Sequence, residues 1–292
     1  IQNGFKIPLV LSRGSIKKKR PQTPTAPFNY SPEEIVFVND KAQIKLSGTL
    51  SIPLNIPLKA LVIIVSGSGP QDRDGSMFDH KPYKLLAHSL ANNGIGVLRY
   101  DERGVGASEG DFKTASIETL EEDLKAAVFF IKQRKEFTGV PVGLIGHSLG
   151  GIIAPKLARH HEEIDFLVLL AAPGLSGDLL MLQQKADLER KMGLSEQQVS
   201  QGQELMRGIY DIVVGKNLNT SQTLKAIDRY LVDIYGELLP ENQRKQLLQQ
   251  IGSPEIMSLI RSENSANLES LSIPVLALNG SLDVQVAASE NL

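Results

Sequence analysis

The sequence predicts an α/β protein: a mostly parallel central sheet with helices on both faces, interrupted by a long helical insertion. Three observations carry that expectation. Uninterrupted apolar, β-branched runs recur along the chain, and such runs suit strands buried on both faces. Amphipathic helix patterns alternate with them. Between about Leu175 and Leu271 the strand signal lapses and only helical patterns remain.

The elements follow in order. Ile35–Val38 and Ile44–Ile52 read as two early strands, with Gly48 expected to mark a bulge or kink and Pro53 ending the second. Leu61-Val62-Ile63-Ile64-Val65 is a buried strand. Pro82–Asn92 places Leu85, Leu86 and Leu90 at helical spacing, and Asn93-Gly94 stops that helix. Ile95–Tyr100 is the next strand. Ser116–Lys135 is a strong helix with the stripe Ile117, Leu120, Leu124, Val128 and Ile131; its acidic start and basic end complement the helix dipole. Val142–Ile145 and Phe166–Leu170 are further buried strands, with the helical stretch Ile152–Arg159 between them.

In the insertion, helices are predicted around Asp178–Met192, Glu196–Val214, Ser221–Tyr235, Glu241–Ile251 and Glu255–Arg261. Ser195-Glu196-Gln197-Gln198 is a capping box, Ser253-Pro254-Glu255 puts proline at a first helical position, and Gly193, Gly236 and Gly252 act as stops. The buried-strand signal returns at Pro274–Leu278. These patterns divide the chain into residues 1–28, the tail of an upstream domain plus a linker; 29–174, an α/β core; 175–271, a helical cap; and 272–292, the core continued. Phe5–Leu11 reads as a short strand. Lys17-Lys18-Lys19-Arg20 beside Pro21, Pro24 and Pro27 reads as a solvated, extended linker rather than a nuclear signal or an anionic-surface anchor.

Composition narrows the function classes. The chain has 292 residues, 41% hydrophobic and 22% charged, with a net charge of -2, so no global electrostatic case for nucleic acid arises. The absence of Cys excludes disulfides, thiolate metal sites and a Cys nucleophile. Five His limit any His-rich metal site, and no metal or cofactor is expected. No apolar run is long enough for a membrane span. Position 1 is Ile rather than Met, which leaves room for a removed signal, and a periplasmic or secreted location is expected over a cytoplasmic one.

The chemistry centres on Gly146-His147-Ser148-Leu149-Gly150, a G-x-S-x-G pentapeptide lying between a buried strand and a helix. That setting is what a nucleophile elbow demands: Ser148 on a sharp, strained turn, with Gly146 and Gly150 where any Cβ would crowd the backbone. The helix N-terminus behind Ser148 favours developing negative charge, and the Leu149 N–H becomes the first oxyanion donor.

With these residues the chain resembles an α/β-hydrolase from about residue 30 onward, and the likeness implies the α/β-hydrolase fold. Ser66-Gly67-Ser68-Gly69-Pro70-Gln71-Asp72-Arg73-Asp74 stands where that superfamily places its oxyanion loop, which implies a second donor, the Ser68 N–H. The wording is similar to a bacterial branch of serine hydrolases described as esterases, acyl-transfer enzymes or serine aminopeptidase-like proteins, often with a small β-rich domain ahead of the hydrolase. Asp101-Glu102-Arg103-Gly104-Val105-Gly106-Ala107-Ser108 matches the D-x-R-G-x-G-x-S segment of the superfamily, and Asp101 and Arg103 are read as scaffold. Asn279-Gly280-Ser281-Leu282-Asp283 matches the strand-end loop of the triad acid, which makes Asp283 the candidate.

The superfamily's chain order of Ser, acid, His implies a base some 25–35 residues past Asp283, beyond Leu292, together with a final strand and helix. His80, His88, His147, His160 and His161 are read as packing or surface residues, with His80 the one bordering the loop. Two function classes stand: a serine hydrolase of a small-molecule ester, thioester or amide, first a carboxylesterase, then a serine aminopeptidase or acyl-CoA thioesterase; or a non-catalytic hydrolase-like binding protein. The oligomeric state is not readable.

Overall fold

The structure is a computed structural model that describes residues 23–215 and 218–292. The strand read at Phe5–Leu11 and the basic run Lys17–Arg20 lie outside the described residues.

A hairpin opens the fold. β1 (Tyr30–Asn39) pairs antiparallel with β2 (Ile44–Pro53), with Tyr30 opposite Pro53 and Asn39 opposite Ile44. β1 starts five residues before the expected strand. Its Ser31-Pro32-Glu33-Glu34 opening carries no apolar signal, and Pro32 is tolerated because β1 is an edge. Gly48 is not a bulge. The register runs unbroken through it to β4 (Ile95–Tyr100), and a Cβ there would lie 2.6 Å from the Arg99 carbonyl oxygen. Close approach of two backbones is the reason for glycine at this point.

The remaining strands, β3 (Ala60–Val65), β5 (Val142–His147), β6 (Phe166–Leu170) and β7 (Val275–Leu278), complete a seven-stranded sheet ordered β1-β2-β4-β3-β5-β6-β7. From β4 to β7 every neighbouring pair is parallel. This is the α/β-hydrolase arrangement the sequence predicts. β7, however, is not buried as expected: it is the edge strand among the described residues, and all four of its residues are exposed.

On one face lie α2 (Ile117–Gln133) and α3 (Gly150–Ala158). The α2 stripe Ile117, Leu120, Leu124, Val128 and Ile131 is buried as expected, and Ser116 caps the helix by accepting the Thr119 N–H. The other face is covered by α1 (Pro82–Asn92). Of the expected stripe, Leu86 and Leu90 pack, partly buried, against the core cluster on this face. Tyr83, Ala87 and Ala91 are the fully buried positions, while Leu85, Leu86 and Leu90 flank them.

Between β6 and β7 the described residues form α4 (Gly177–Lys191), α5 (Glu196–Val214), α6 (Thr220–Tyr235), α7 (Glu241–Ile251), α8 (Pro254–Ile260) and α9 (Asn264–Glu269). They surround a second hydrophobic cluster that includes Ile209, Val213, Ile227, Leu231 and Ile260. The Ser195 capping box is present, and Ser253 caps α8 with Pro254 at its start. α9 and the terminal turn α10 (Ala288–Asn291) are too short to show a period and were not anticipated.

Candidate active site

The site is built where β5 turns into α3. Ser148 has φ +51°, a left-handed conformation that costs a non-glycine residue energy and persists only where its surroundings impose it. Three neighbours impose it. The Ser148 N–H donates to the Leu170 carbonyl of β6 at 3.0 Å. A Cβ on Gly146 would lie 2.5 Å from the Gly150 oxygen, and one on Gly150 would strike the Val65 and Ser66 carbonyl oxygens. The two glycines thus let α3 start directly against the end of β3. Ser148 itself is only half-buried, at the carboxyl edge of the parallel strands.

The loop after β3 packs against this turn. A Cβ on Gly67 would lie 3.3 Å from Ser148 Cβ and 3.1 Å from His147 Nδ1. Its backbone is held by a regular alternation. The Gly67 N–H donates to Tyr83 Oη at 3.2 Å, the Gly69 N–H to Glu255 Oε1 at 2.8 Å, the Gln71 N–H to Glu102 Oε2 at 2.8 Å and the Arg73 N–H to Asp101 Oδ1 at 2.8 Å. Pro70 has no N–H. The Ser68 N–H takes no acceptor among the described residues, and neither does that of Leu149. A half-exposed hydroxyl in a strained turn, beside two N–H groups left unpaired, can attack an electrophilic carbon and hold the resulting oxyanion.

Supporting residues surround that core. Tyr83 Oη lies 2.9 Å from His147 Nδ1 as well as accepting the Gly67 N–H, so it joins the loop to the residue before Ser148. Burial pushes the Tyr83 phenol up to about 12, opposed by the Gly67 bond. Burial pushes the His147 imidazole down, while Asp283 works in the opposite direction. Asp283 Oδ1 accepts the N–H groups of Gln285 and Val286, at 2.8 and 3.0 Å, so one carboxylate oxygen is tied into its own turn.

Asp101 and Arg103 are scaffold, as read. Asp101 binds Arg73 and the Ala107 N–H; Arg103 pairs with Asp123 at 2.7 Å. Glu102, only 5% exposed, was not anticipated. Burial is the main cause that lifts its carboxyl to about 8, with Glu255 and Asp123 adding to the shift and the Gln71 N–H opposing it.

The histidines fall apart spatially. His88 stacks edge-on with Phe28 at 5.1 Å between centroids, and His161 follows α3 near Glu163. His80 lines a cavity with Thr23, Phe28 and Lys84, which includes none of the elbow residues. Among the described residues no cluster of three or more His, Asp or Glu is placed to hold a metal, and no helix is long and apolar enough to cross a membrane. Tyr83, Glu102 and Glu255 are the site residues that sequence reasoning missed.

A profile of the family described as "Serine aminopeptidase, S33" matches residues 58–205, just over half of the chain. An esterase, EstD, of Thermotoga maritima is 36% identical over 129 residues, which is 44% of this chain and 30% of that protein. An acyl transferase of Photobacterium leiognathi is 33% identical over 144 residues, 49% of this chain and 41% of that protein. The chain thus spans less than half the length of these curated relatives. Among solved structures, the Pyrococcus furiosus esterase PF2001 superposes with a TM-score of 0.55 at 20% identity, covering 90% of this chain and 75% of that one. That likeness is one of fold.

Proposed function

The chain belongs to the family described as serine aminopeptidase, S33, and on that premise we propose that it is a serine hydrolase acting through an acyl-enzyme on Ser148, with a carboxylic ester of a small molecule as its first substrate class. The observation that carries this reading is the left-handed Ser148 at the β5–α3 turn, packed against the Gly67 loop, with the Leu149 and Ser68 N–H groups taking no acceptor among the described residues. Curated relatives named as an esterase and an acyl transferase support acyl chemistry over a binding-only role.

In the proposed mechanism, Ser148 Oγ attacks the acyl carbon and its proton passes to a histidine base, which the family's chain order puts after Asp283. The carbonyl electrons move onto oxygen, where the Leu149 and Ser68 N–H groups bind them, and the α3 N-terminus adds its dipole. Collapse of the tetrahedral species expels the alcohol, which takes the proton from the base. Water, deprotonated by the same base, then releases the acid and frees Ser148. Asp283 holds the base in the tautomer that accepts the serine proton. The helices between residues 177 and 269 serve as a cap along the acyl group. Their approach to the loop through Glu255 supports that role.

The test uses the full-length gene product. A fluorophosphonate probe is expected to label Ser148, and Ser148→Ala to lose both labelling and turnover of short-chain nitrophenyl esters with an unchanged circular dichroism spectrum. Acyl-CoAs and aminoacyl amides tried in parallel rank the thioesterase and aminopeptidase alternatives. Equal labelling of the Ala variant, or a wild type that neither labels nor turns over any ester, overturns the reading.

A further inference from the structure

Three of the four side chains that anchor the loop after β3 belong to the α/β core: Tyr83 on α1, and Asp101 and Glu102 after β4. The fourth, Glu255, reaches in from α8, 186 residues away in sequence. It holds the N–H next to that of Ser68. The Ser68–Gly69 peptide it holds has one other hydrogen bond among the described residues, from the exposed Gln71 Nε2 of the same loop to the Ser68 carbonyl at 3.2 Å. Gly69 has φ +80°, and a Cβ built on it meets nothing within 4 Å. Glycine at that position leaves the backbone many conformations. Among the described residues, the Glu255 bond is the hydrogen bond that reaches this peptide from outside the loop.

We propose that Glu255 is a positioning residue: by holding the Gly69 N–H it keeps the Ser68 N–H aimed where the oxyanion forms, so that the helical segment sets the catalytic competence of the core. This rests on the reading of Ser148 as nucleophile and of Ser68 as oxyanion donor. A donor displaced by an ångström loses much of its effect on the transition state while leaving ground-state binding nearly untouched.

The groups around Glu255 give the device a pH signature. Glu102 lies behind the loop, facing Glu255 from α8, Asp123 from α2, Tyr83 from α1 and Tyr100 from β4. The nearby Arg103 is committed to Asp123. A neutral Glu102 leaves Glu255 undisturbed. Once Glu102 ionises, in the region of pH 8, two like charges flank the loop and the Glu255–Gly69 contact weakens.

The experiment measures kcat and KM for a short-chain nitrophenyl ester with the full-length protein, alongside melting temperatures. Glu255→Ala is expected to lower kcat roughly 10–100-fold with KM changed less than about threefold. Glu255→Gln keeps an acceptor for the Gly69 N–H without the charge. It should recover at least about a third of wild-type kcat and lose the alkaline fall in rate. Glu102→Gln should lose that fall as well. The proposal is overturned if Glu255→Ala retains kcat within about twofold, if the loss appears in KM instead, or if Glu255→Gln is as impaired as Ala while melting normally. Ser148→Ala separates the two levels: persistent turnover in that variant removes the nucleophile assignment, whereas its loss beside an unaffected Glu255→Ala removes only the role of Glu255.

Discussion

Truncation of Asp123 to Ala is expected to destabilise the core severely. The carboxylate is 1% exposed on α2 and accepts three hydrogen bonds, from Arg103 Nε at 2.7 Å, Arg103 Nη2 at 2.8 Å and Asn39 Nδ2 at 2.7 Å. Arg103 is itself only 6% exposed, and without Asp123 its guanidinium keeps one partner, the Thr119 carbonyl. Breaking a buried pair from one side costs about 3–5 kcal/mol, because the remaining charge has no compensation. The orphaned Asn39 amide adds about 1 kcal/mol more. Against a typical folding stability of about 5–15 kcal/mol that is a third or more of the total. It corresponds to a fall of roughly 10 °C in melting temperature for a chain of this size.

Urea unfolding followed by circular dichroism gives the measurement, read as a drop in midpoint at constant slope. A second variant isolates the cause. Arg103→Met with Asp123→Leu removes both charges, and apolar replacements of a buried pair are often neutral or stabilising. The double variant should therefore recover most of the loss. A single variant within about 1 kcal/mol of wild type refutes the reasoning, as does a double variant no better than the single one.

Two further outcomes are expected. The folded-state pKa of Glu102, about 8, stands above the 4.5 of an ordinary glutamate, so the folded protein holds a proton that the unfolded chain has released between those values. Stability therefore falls as pH rises through that window, by up to roughly 5 kcal/mol; Glu102→Gln should flatten the dependence, and parallel curves for the two proteins would contradict it. At the elbow, Gly150→Ala drives a Cβ into the Val65 and Ser66 carbonyl oxygens. It should lower the melting temperature and abolish fluorophosphonate labelling together, and a well-folded, fully labelled variant would show that the turn is looser than its geometry implies.

Much of the fold was legible because its signals are local. Apolar runs such as Leu61–Val65, buried throughout, and Phe166–Leu170, buried at alternate positions, need no context to be recognised as strands, and the caps at Ser116, Ser195 and Ser253 sit at the ends of their helices. Reading failed where burial was decided by a partner. On α1, Leu86 and Leu90 do pack against the sheet, but the fully buried Tyr83, Ala87 and Ala91 gave no signal: alanine is weakly hydrophobic, and Tyr83 is buried because its phenol has polar partners. The first half of β1 was invisible because an edge strand tolerates proline and paired glutamates. Gly48 was misread because a bulge and a close approach leave the same mark in a sequence. In the site, motifs single out Ser148, Leu149 and Ser68 as candidates, whereas Glu255 meets the loop across 186 residues and belongs to no local pattern.

The anchors that the sequence did not disclose also account for the electrostatics of the loop. Three of its four anchors are carboxyl groups, and negative charge beside an oxyanion works against catalysis. Two of the three are silenced. Burial opposes ionisation of Asp101, but bonds from Arg73 and the Ala107 N–H outweigh it and hold the pKa below the usual range, so the charge is present but neutralised by the guanidinium 2.7 Å away. Glu102 has no cation and is kept protonated near neutral pH by burial. Glu255, like Glu102, takes no ion pair among the described residues, and it is the one anchor that does not belong to the core. The loop is therefore held rigidly by groups that contribute little net field. Under the proposed reading, the one anchor carried by the helical segment is Glu255, through which that segment acts on the Ser68 donor.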